Sequence, residues 1–268
     1  MTHPPLISFI TVTYQAASML SPTLDRLLVQ SSASFECLVI DGGSNDGTVD
    51  VITTYATRFQ EKGIPFRWIS EPDKGLYDAM NKGLVMAEGS YVWFMNAGDR
   101  LASEDTLHLL EKGLKEAGKE LMDHEQEQLP DFMYGETMIV DATYGIVGPR
   151  RLKAPTNLTW KHFRWGMLVC HQAMLVKRTM APPFNTSYRF SSDYDWAIRC
   201  LKASRHIHNT GLVLCEFMEG GLTKQKMSLS LKERYAIMAK NYGYVSTTLL
   251  HGWFFIRAAW FKLQHGWM

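Results

Sequence analysis

Four short apolar runs, at 7–13, 35–41, 64–69 and 90–95, alternate with amphipathic stretches through the first 117 residues of this 268-residue chain. That alternation is the tightest constraint on what the chain can fold into. Strands separated by helix-length segments pair in parallel and cover their faces with those helices. Ser21-Pro22 supplies a cap and a first-turn proline for the first helix, with Leu24, Leu27 and Leu28 on its apolar side. The turn Gly42-Gly43-Ser44-Asn45-Asp46-Gly47 leads into a second helix marked by Val49, Ile52, Ala56 and Phe59. A third covers 76–87, and Ser103 caps a fourth, with Glu104 and Asp105 in its first turn. The expected class is α/β, with a doubly wound, mostly parallel sheet.

The pattern then changes. Residues 118–130 are charged and poor in apolar side chains, so a solvated loop is expected there. Residues 132–140 and 144–148 suggest an antiparallel hairpin, 172–176 and 212–217 later strands, 192–203 a helix, and the tail from 227 more helix. A hydrophobic share of 46% supports a full core and excludes disorder. The net charge of +1 gives no overall reason to expect a nucleic-acid partner. Cys37, Cys170, Cys200 and Cys215 form no Cys-x-x-Cys pair, which favours free thiols in a reducing compartment. Residues 1–5 lack the features of a signal peptide, and no run of about 18 apolar residues offers a membrane span. The expectation is a cytoplasmic protein.

Chemistry concentrates in a few places. The segment Glu71-Pro72-Asp73-Lys74-Gly75-Leu76-Tyr77-Asp78-Ala79-Met80-Asn81 is a charged, glycine-broken loop entering a helix, and Asp99 stands just past the next apolar strand. In an open α/β sheet, ligands bind at the carboxyl ends of the strands. A Lys/Asn-rich helix start facing one Asp suits a diphosphate with Mg²⁺ or Mn²⁺; otherwise Asp99 is a helix-flanking charge. Asp41, closing the second strand, either accepts from a nucleoside hydroxyl or shapes the turn, and Thr13-Tyr14 lie beside it, the tyrosine suited to stacking on a base. Asp193 falls in the first turn of a helix, where the dipole keeps it ionised: a modest general base, or a plain terminal charge. Asp195 is a second candidate. His171-Gln172 precede a strand and either line an acceptor site or serve structure. The glycine turn carries no Lys-Ser/Thr and is not Gly-x-Gly-x-x-Gly, which disfavours kinases, ATPases and dehydrogenases.

Five motifs in order give these pieces a family. Thr11-Val12-Thr13-Tyr14, Val39-Ile40-Asp41-Gly42-Gly43-Ser44-Asn45-Asp46-Gly47-Thr48, the 71–83 segment, Phe94-Met95-Asn96-Ala97-Gly98-Asp99 and, later, Cys170-His171-Gln172-Ala173 with Ser192-Asp193-Tyr194-Asp195 resemble a family-2 glycosyltransferase of GT-A fold. Within that family the chain looks most like bacterial exopolysaccharide enzymes of the colanic acid type. The resemblance covers Ile7 to about Lys224. It implies a small antiparallel portion in the sheet, a nucleotide-sugar half over 1–117, an acceptor and base half over 131–224, and a helical extension over 225–268.

The resemblance also implies roles. Thr13, Tyr14 and Asp41 match nucleotide-binding positions, with Asp73, Lys74 and Asn81 bordering ribose and diphosphate. Asp99 matches the last Asp of the metal motif, with Asn96 beside it, and Asp193 matches the base. The family's usual Asp-Asp-Gly-Ser is here Asp41-Gly42-Gly43-Ser44. The implied reaction is inverting transfer of a sugar from a UDP- or GDP-sugar to a hydroxyl of a lipid-linked glycan. A catalytically silent sugar-nucleotide-binding protein on the same fold is the alternative; a nucleotidyltransferase lacks its Arg/Lys glycine signature here. In the tail, Trp253, Trp260 and Trp267 share a helical face with Arg257, suited either to the inner face of a cytoplasmic membrane or to packing on the catalytic domain or a partner subunit.

Overall fold

The computed structural model describes residues 5–31, 34–122, 129–220 and 227–265. Strands β1 (Ile7–Thr13), β2 (Phe35–Asp41), β3 (Phe66–Ser70) and β4 (Tyr91–Phe94) alternate with helices α1 (Ala17–Leu28), α2 (Thr48–Glu61) and α3 (Leu76–Met86). β5 (Arg100–Leu101), α4 (Thr106–Met122), β6 (Phe132–Val140), β7 (Ile146–Pro149) and β8 (Met174–Lys177) follow. Helix α5 (Ser192–Ala203), β9 (Ile207–Met218), α6 (Met227–Tyr242) and α7 (Tyr244–His265) complete the chain.

Among the described residues the strands form one sheet in the order β3-β2-β1-β4-β8-β6-β9-β5, with β7 paired to the far half of β6. The β1–β2, β2–β3, β1–β4 and β6–β9 pairs are parallel, and β8 enters antiparallel between β4 and β6. The α/β class and the mainly parallel sheet with an antiparallel portion are as expected. β1, β2 and β4 are buried at every position, as continuous apolar runs covered on both faces must be. The core is aromatic-rich at the centre of the sheet, where Phe9 stacks on Trp93 at 5.0 Å.

Several boundaries differ from expectation: β9 begins at Ile207 rather than 212, β3 at Phe66 rather than 64, and α4 at Thr106, past the Ser103 expected to cap it. Three further differences have a physical reason. Helix α1 begins at Ala17, not at Ser21-Pro22, because the distant turn before α2 caps it. Ala16 N–H donates to Thr48 Oγ1 (3.1 Å) and Ala17 N–H to Asp46 Oδ2 (3.2 Å), so Pro22 lies inside the helix. The predicted loop over 118–130 starts later, since Lys119-Glu120-Leu121-Met122 are good helix formers that prolong α4; residues 123–128 lie outside the described residues. The helical tail is broken by Gly243, which adopts a φ of +86° between α6 and α7. Among the described residues no helix is long and apolar enough to cross a membrane.

Helix α3 carries the 71–83 segment's end down onto β1. Gly83 permits that approach: a Cβ there would overlap the Cγ2 methyl of Ile10, itself fully buried. Alanine gains helix propensity but meets a neighbour that cannot give way. Gly83→Ala is expected to lower stability by about 1–2 kcal/mol in urea unfolding; an unchanged or raised midpoint would show that α3 lies further from the sheet.

Candidate active site

The parallel strands β1, β2 and β4 end on one edge of the sheet, and the motifs occupy the loops beyond them. Two clusters form there. In the first, Thr13 and Asp41 are register partners at the ends of β1 and β2. Asp41 is fully buried. Its Oδ1 accepts from Ser44 Oγ (2.5 Å), and Oδ2 accepts from the Gly43 and Ser44 N–H groups (3.1 and 2.9 Å) and from Ser70 Oγ (2.6 Å). That carboxylate closes the turn and ties β2 to β3. A nucleoside hydroxyl would have to displace one of those donors.

The accessible groups of this cluster are its neighbours. Tyr14 is 64% exposed. Asp73 Oδ1 accepts from Gly75 N–H (2.7 Å), while Oδ2 leans over Gly42, where a Cβ would stand 2.5 Å from it and 3.1 Å from Tyr14 Cδ2. Glycine at 42 therefore opens the space in which the Asp73 carboxylate and the Tyr14 ring meet. Lys74 is exposed beside them. Asn81 is not: its amide is spent on Phe184, accepting from that residue's N–H (2.7 Å) and donating to its carbonyl (3.0 Å).

The second cluster follows β4. The 96–99 turn closes through Asp99 N–H to Asn96 O (3.0 Å), and Gly98 takes a φ of +99°. Thr23 of α1 clamps it, accepting from Gly98 N–H (3.0 Å) and donating to Asp99 O (2.7 Å), while Tyr144 Oη donates to Gly98 O (3.2 Å). Asp99 is buried; its Oδ2 accepts from Gln172 Nε2 (2.7 Å) and its Oδ1 from Met218 N–H (3.2 Å). Burial pushes its pKa up to about 6, against the pull of the Gln172 bond and the His171 imidazole.

His171 connects this carboxylate's surroundings to the next. Its Nδ1 lies 3.4 Å from Asp193 Oδ2 and its Nε2 3.3 Å from Asn96 Nδ2. One tautomer serves both contacts, with Nδ1–H donating to Asp193 and the Asn96 amide donating to Nε2. Asp193 Oδ1 accepts from Tyr77 Oη (3.1 Å) and Tyr194 N–H (2.9 Å). Burial alone would raise Asp193, but the hydrogen bond from His171, with the Arg234 guanidinium, outweighs it and holds the carboxyl below its usual range. Asp195 stands apart, paired with Arg199 Nε at 2.6 Å.

So Asn96, Asp99, His171, Gln172 and Asp193 gather in one place, with Thr13, Tyr14, Asp73 and Lys74 along the same edge. Tyr77 and Arg234 were not singled out from the sequence. Tyr77 stood inside a recognised motif, but nothing local marked it as a partner for a residue 116 positions away. Arg234 sits on the tail helix, and no sequence signal tied it to Asp193.

Residues 8–128 match the sequence model of Glycosyl transferase family 2. A PGL/p-HBAD biosynthesis glycosyltransferase of Mycobacterium tuberculosis is 31% identical over 227 residues, which are 82% of this chain and 79% of that one. The chain is a member of glycosyltransferase family 2. Among solved structures, S. aureus TarS 1–349 in complex with UDP shares the fold with a TM-score of 0.63 at 15% identity, over 97% of this chain and 73% of its own. A longer TarS chain is covered to 42%. The mannosyltransferase PcManGT from Pyrobaculum calidifontis, in complex with GDP-Man and Mn²⁺, aligns over all of this chain and 77% of its own, with a TM-score of 0.59 at 17% identity.

For a glycosyltransferase of this fold the question of a divalent ion turns on donor chemistry. Mg²⁺ and Mn²⁺ take hard oxygens. Asn96 Oδ1 and Gln172 Oε1 are both buried without a hydrogen-bond partner, because each amide donates through its nitrogen, to His171 and to Asp99. Two orphaned amide oxygens beside one carboxylate fit such an ion, with phosphate oxygens and water to complete its shell. Among the described residues no three His, Cys, Asp or Glu side chains converge as a dedicated cage.

The raised pKa of Asp99 has a sign that can be checked on the metal-free protein. Above pH 6 the folded state carries the full cost of the buried charge, about 3 kcal/mol for two pK units. As pH falls through 6 the folded carboxyl takes its proton and the cost disappears. Asp99→Asn, which keeps an acceptor for Met218 and an amide for Gln172, should therefore melt higher than the parent at pH 8 in EDTA, the gap closing between pH 6 and 4. A gap independent of pH would show that the Asp99 charge is not the strained group.

Proposed function

We propose that this glycosyltransferase moves a sugar, with inversion, from a UDP- or GDP-sugar to a hydroxyl of a lipid-linked glycan in bacterial surface-polysaccharide or glycolipid synthesis, at the inner face of the cytoplasmic membrane. The observation that carries the reading is the convergence on Asp193 of Tyr77 and His171, from motifs far apart in sequence, beside the Asn96–Asp99 turn. The donor class draws support from the solved neighbours, which hold UDP and GDP-Man. The setting draws support from the mycobacterial relative, named for PGL/p-HBAD biosynthesis. On this reading residues 1–117 hold the donor, 131–224 bring the base and acceptor side, and 225–268 complete the acceptor side.

Tyr14 stacks on the base of the donor, while Asp73 takes a nucleoside hydroxyl in the space left by Gly42, with Asp41 and Thr13 shaping the turn beneath. Lys74 faces the diphosphate. Asp99, Asn96 and Gln172 would hold Mg²⁺ or Mn²⁺, and such an ion offsets charge that develops on a leaving diphosphate. Asp193 receives the proton of the acceptor hydroxyl as its oxygen bonds to the anomeric carbon and the bond from that carbon to the diphosphate breaks on the opposite face. Oδ1 is already occupied by Tyr77 and Tyr194 N–H, so Oδ2, which carries only His171, keeps the lone pair for that proton. A carboxylate held ionised is a modest base, and it suffices because transfer accompanies bond formation. Asp195, neutralised by Arg199, takes no part.

The test uses the purified chain with a panel of UDP- and GDP-sugars, with Mn²⁺ or with EDTA. A donor from this panel should bind or be slowly hydrolysed, more weakly in EDTA; if none does, the enzyme reading fails. With a working acceptor, Asp193→Asn should lower kcat by about 10²–10⁴-fold with donor affinity retained. Transfer at the parent rate would remove Asp193 as the base.

A further inference from the structure

Outside the sheet edge, an open groove of about 800 Å³ runs between the 3-10 turn Trp160–Trp165 and the α6–α7 junction. Trp165, Val245, Leu249 and Trp253 line it while remaining between 47% and 77% exposed. Its inner wall is Arg164 and Tyr242. Arg164 lies over the Tyr242 ring at 5.5 Å, and Arg234 over the Tyr194 ring at 5.6 Å. Both rings hang from the same 3-10 turn, Tyr242 Oη donating to Trp160 O and Tyr194 Oη to Phe163 O. Tyr194 adjoins Asp193 in sequence. One 3-10 turn thus braces both the groove wall and the residue next to Asp193, with an arginine over each of its two tyrosine rings.

Both guanidinium groups keep a buried Nε–H that has no acceptor. A buried donor left unpaired costs free energy, and an anion is the partner that guanidinium geometry fits best. An apolar groove walled by Arg164, with Arg234 over the neighbouring Tyr194 ring, matches a molecule with a long apolar chain next to an anionic group. Nε atoms shielded from solvent suit a phosphate carried on a single chain rather than the flat face of a bilayer. We propose that this groove seats the apolar chain of the acceptor, with Arg164 and Arg234 binding the phosphate that joins chain to glycan and so directing the acceptor hydroxyl to Asp193. The proposal rests on the glycosyltransferase reading and adds a seat for the lipid part of its acceptor.

Dodecyl phosphate, dodecyl maltoside and inorganic phosphate are titrated into the full chain by calorimetry, the amphiphiles below their micelle concentrations. Donor binding is measured on the same preparation. Dodecyl phosphate should bind about tenfold or more tighter than dodecyl maltoside, and Arg164→Gln should abolish that preference. Leu249→Gln and Trp253→Ala should weaken both amphiphiles about tenfold, from the lost apolar contact. Both residues are more than half exposed, so these variants keep the test decisive should Arg164→Gln not fold; thermal melts check each fold. The proposal is overturned if dodecyl phosphate binds no tighter than inorganic phosphate, or if the groove variants bind as the parent does. Cosedimentation with phosphatidylglycerol vesicles without binding of the monomeric amphiphile would also overturn it, marking a membrane-adsorbing face. Loss of donor binding in the parent would defeat the donor reading instead, and leaves the amphiphile result to stand by itself.

Discussion

Two successive residues, His171 and Gln172, reach two different carboxylates, and the site exists because they do. Gln172 holds Asp99 and His171 holds Asp193, so motifs some 95 residues apart are joined through one short turn. The sheet makes this possible. β8 runs antiparallel to β4, so the residues that precede it arrive at the edge where β4 ends. Trp93 fixes the arrival by donating its buried indole N–H to Gln172 O at 2.7 Å. An all-parallel sheet would have carried the 171–172 turn to the opposite edge.

The same turn explains why two buried carboxylates in one site behave oppositely. Both suffer desolvation, the largest influence on each. Asp193 faces the His171 imidazole and the Arg234 guanidinium and accepts from a phenol, so the balance falls below the usual range. Asp99 has one amide, one backbone N–H and a more remote imidazole, and the balance stays above it. One group is settled as an anion by the protein alone. The other is left short of positive charge beside two oxygens that have no donor. That asymmetry is what a site that borrows a cation with its substrate requires.

Much of this was legible in the sequence because it is local. The strand runs of the first half, the hairpin, helix α5 and the positions of Asp99 and Asp193 all follow from periodicity, punctuation and motif order. What escaped was set by distant partners. The α1 start is capped by Asp46 and Thr48, some 30 residues on, and no local rule finds that. Asp41 carries a motif position, yet its oxygens are consumed by Ser44 and Ser70, the latter from the next strand. Asn81 looked like a diphosphate neighbour and instead ties α3 to Phe184. Polar residues in a motif announce that they are needed; only the fold says whether the turn or the ligand needs them.

The C-terminal extension divides the two readings the sequence left open for it. Helix α6 packs against the catalytic domain: Glu233 accepts from the Arg189 and Phe190 N–H groups (2.7 and 2.9 Å), and Ser230 bonds to Ser191 just before α5. Trp160 stacks on Tyr242 at 5.5 Å with the rings nearly parallel, and Lys202 lies over the same indole. These contacts brace the start of α5, the turn that carries Asp193, so removing α6 would loosen Asp193 as well as remove Arg234. Helix α7 behaves differently. It leaves Tyr244, Val245, Leu249, Trp253 and Ile256 outward, while Trp267 lies outside the described residues. A chain that needed the extension only for stability would bury that face too. Outward apolar side chains along α7, next to a helix that braces Asp193, are the arrangement expected where an apolar partner has to reach the proposed base from outside.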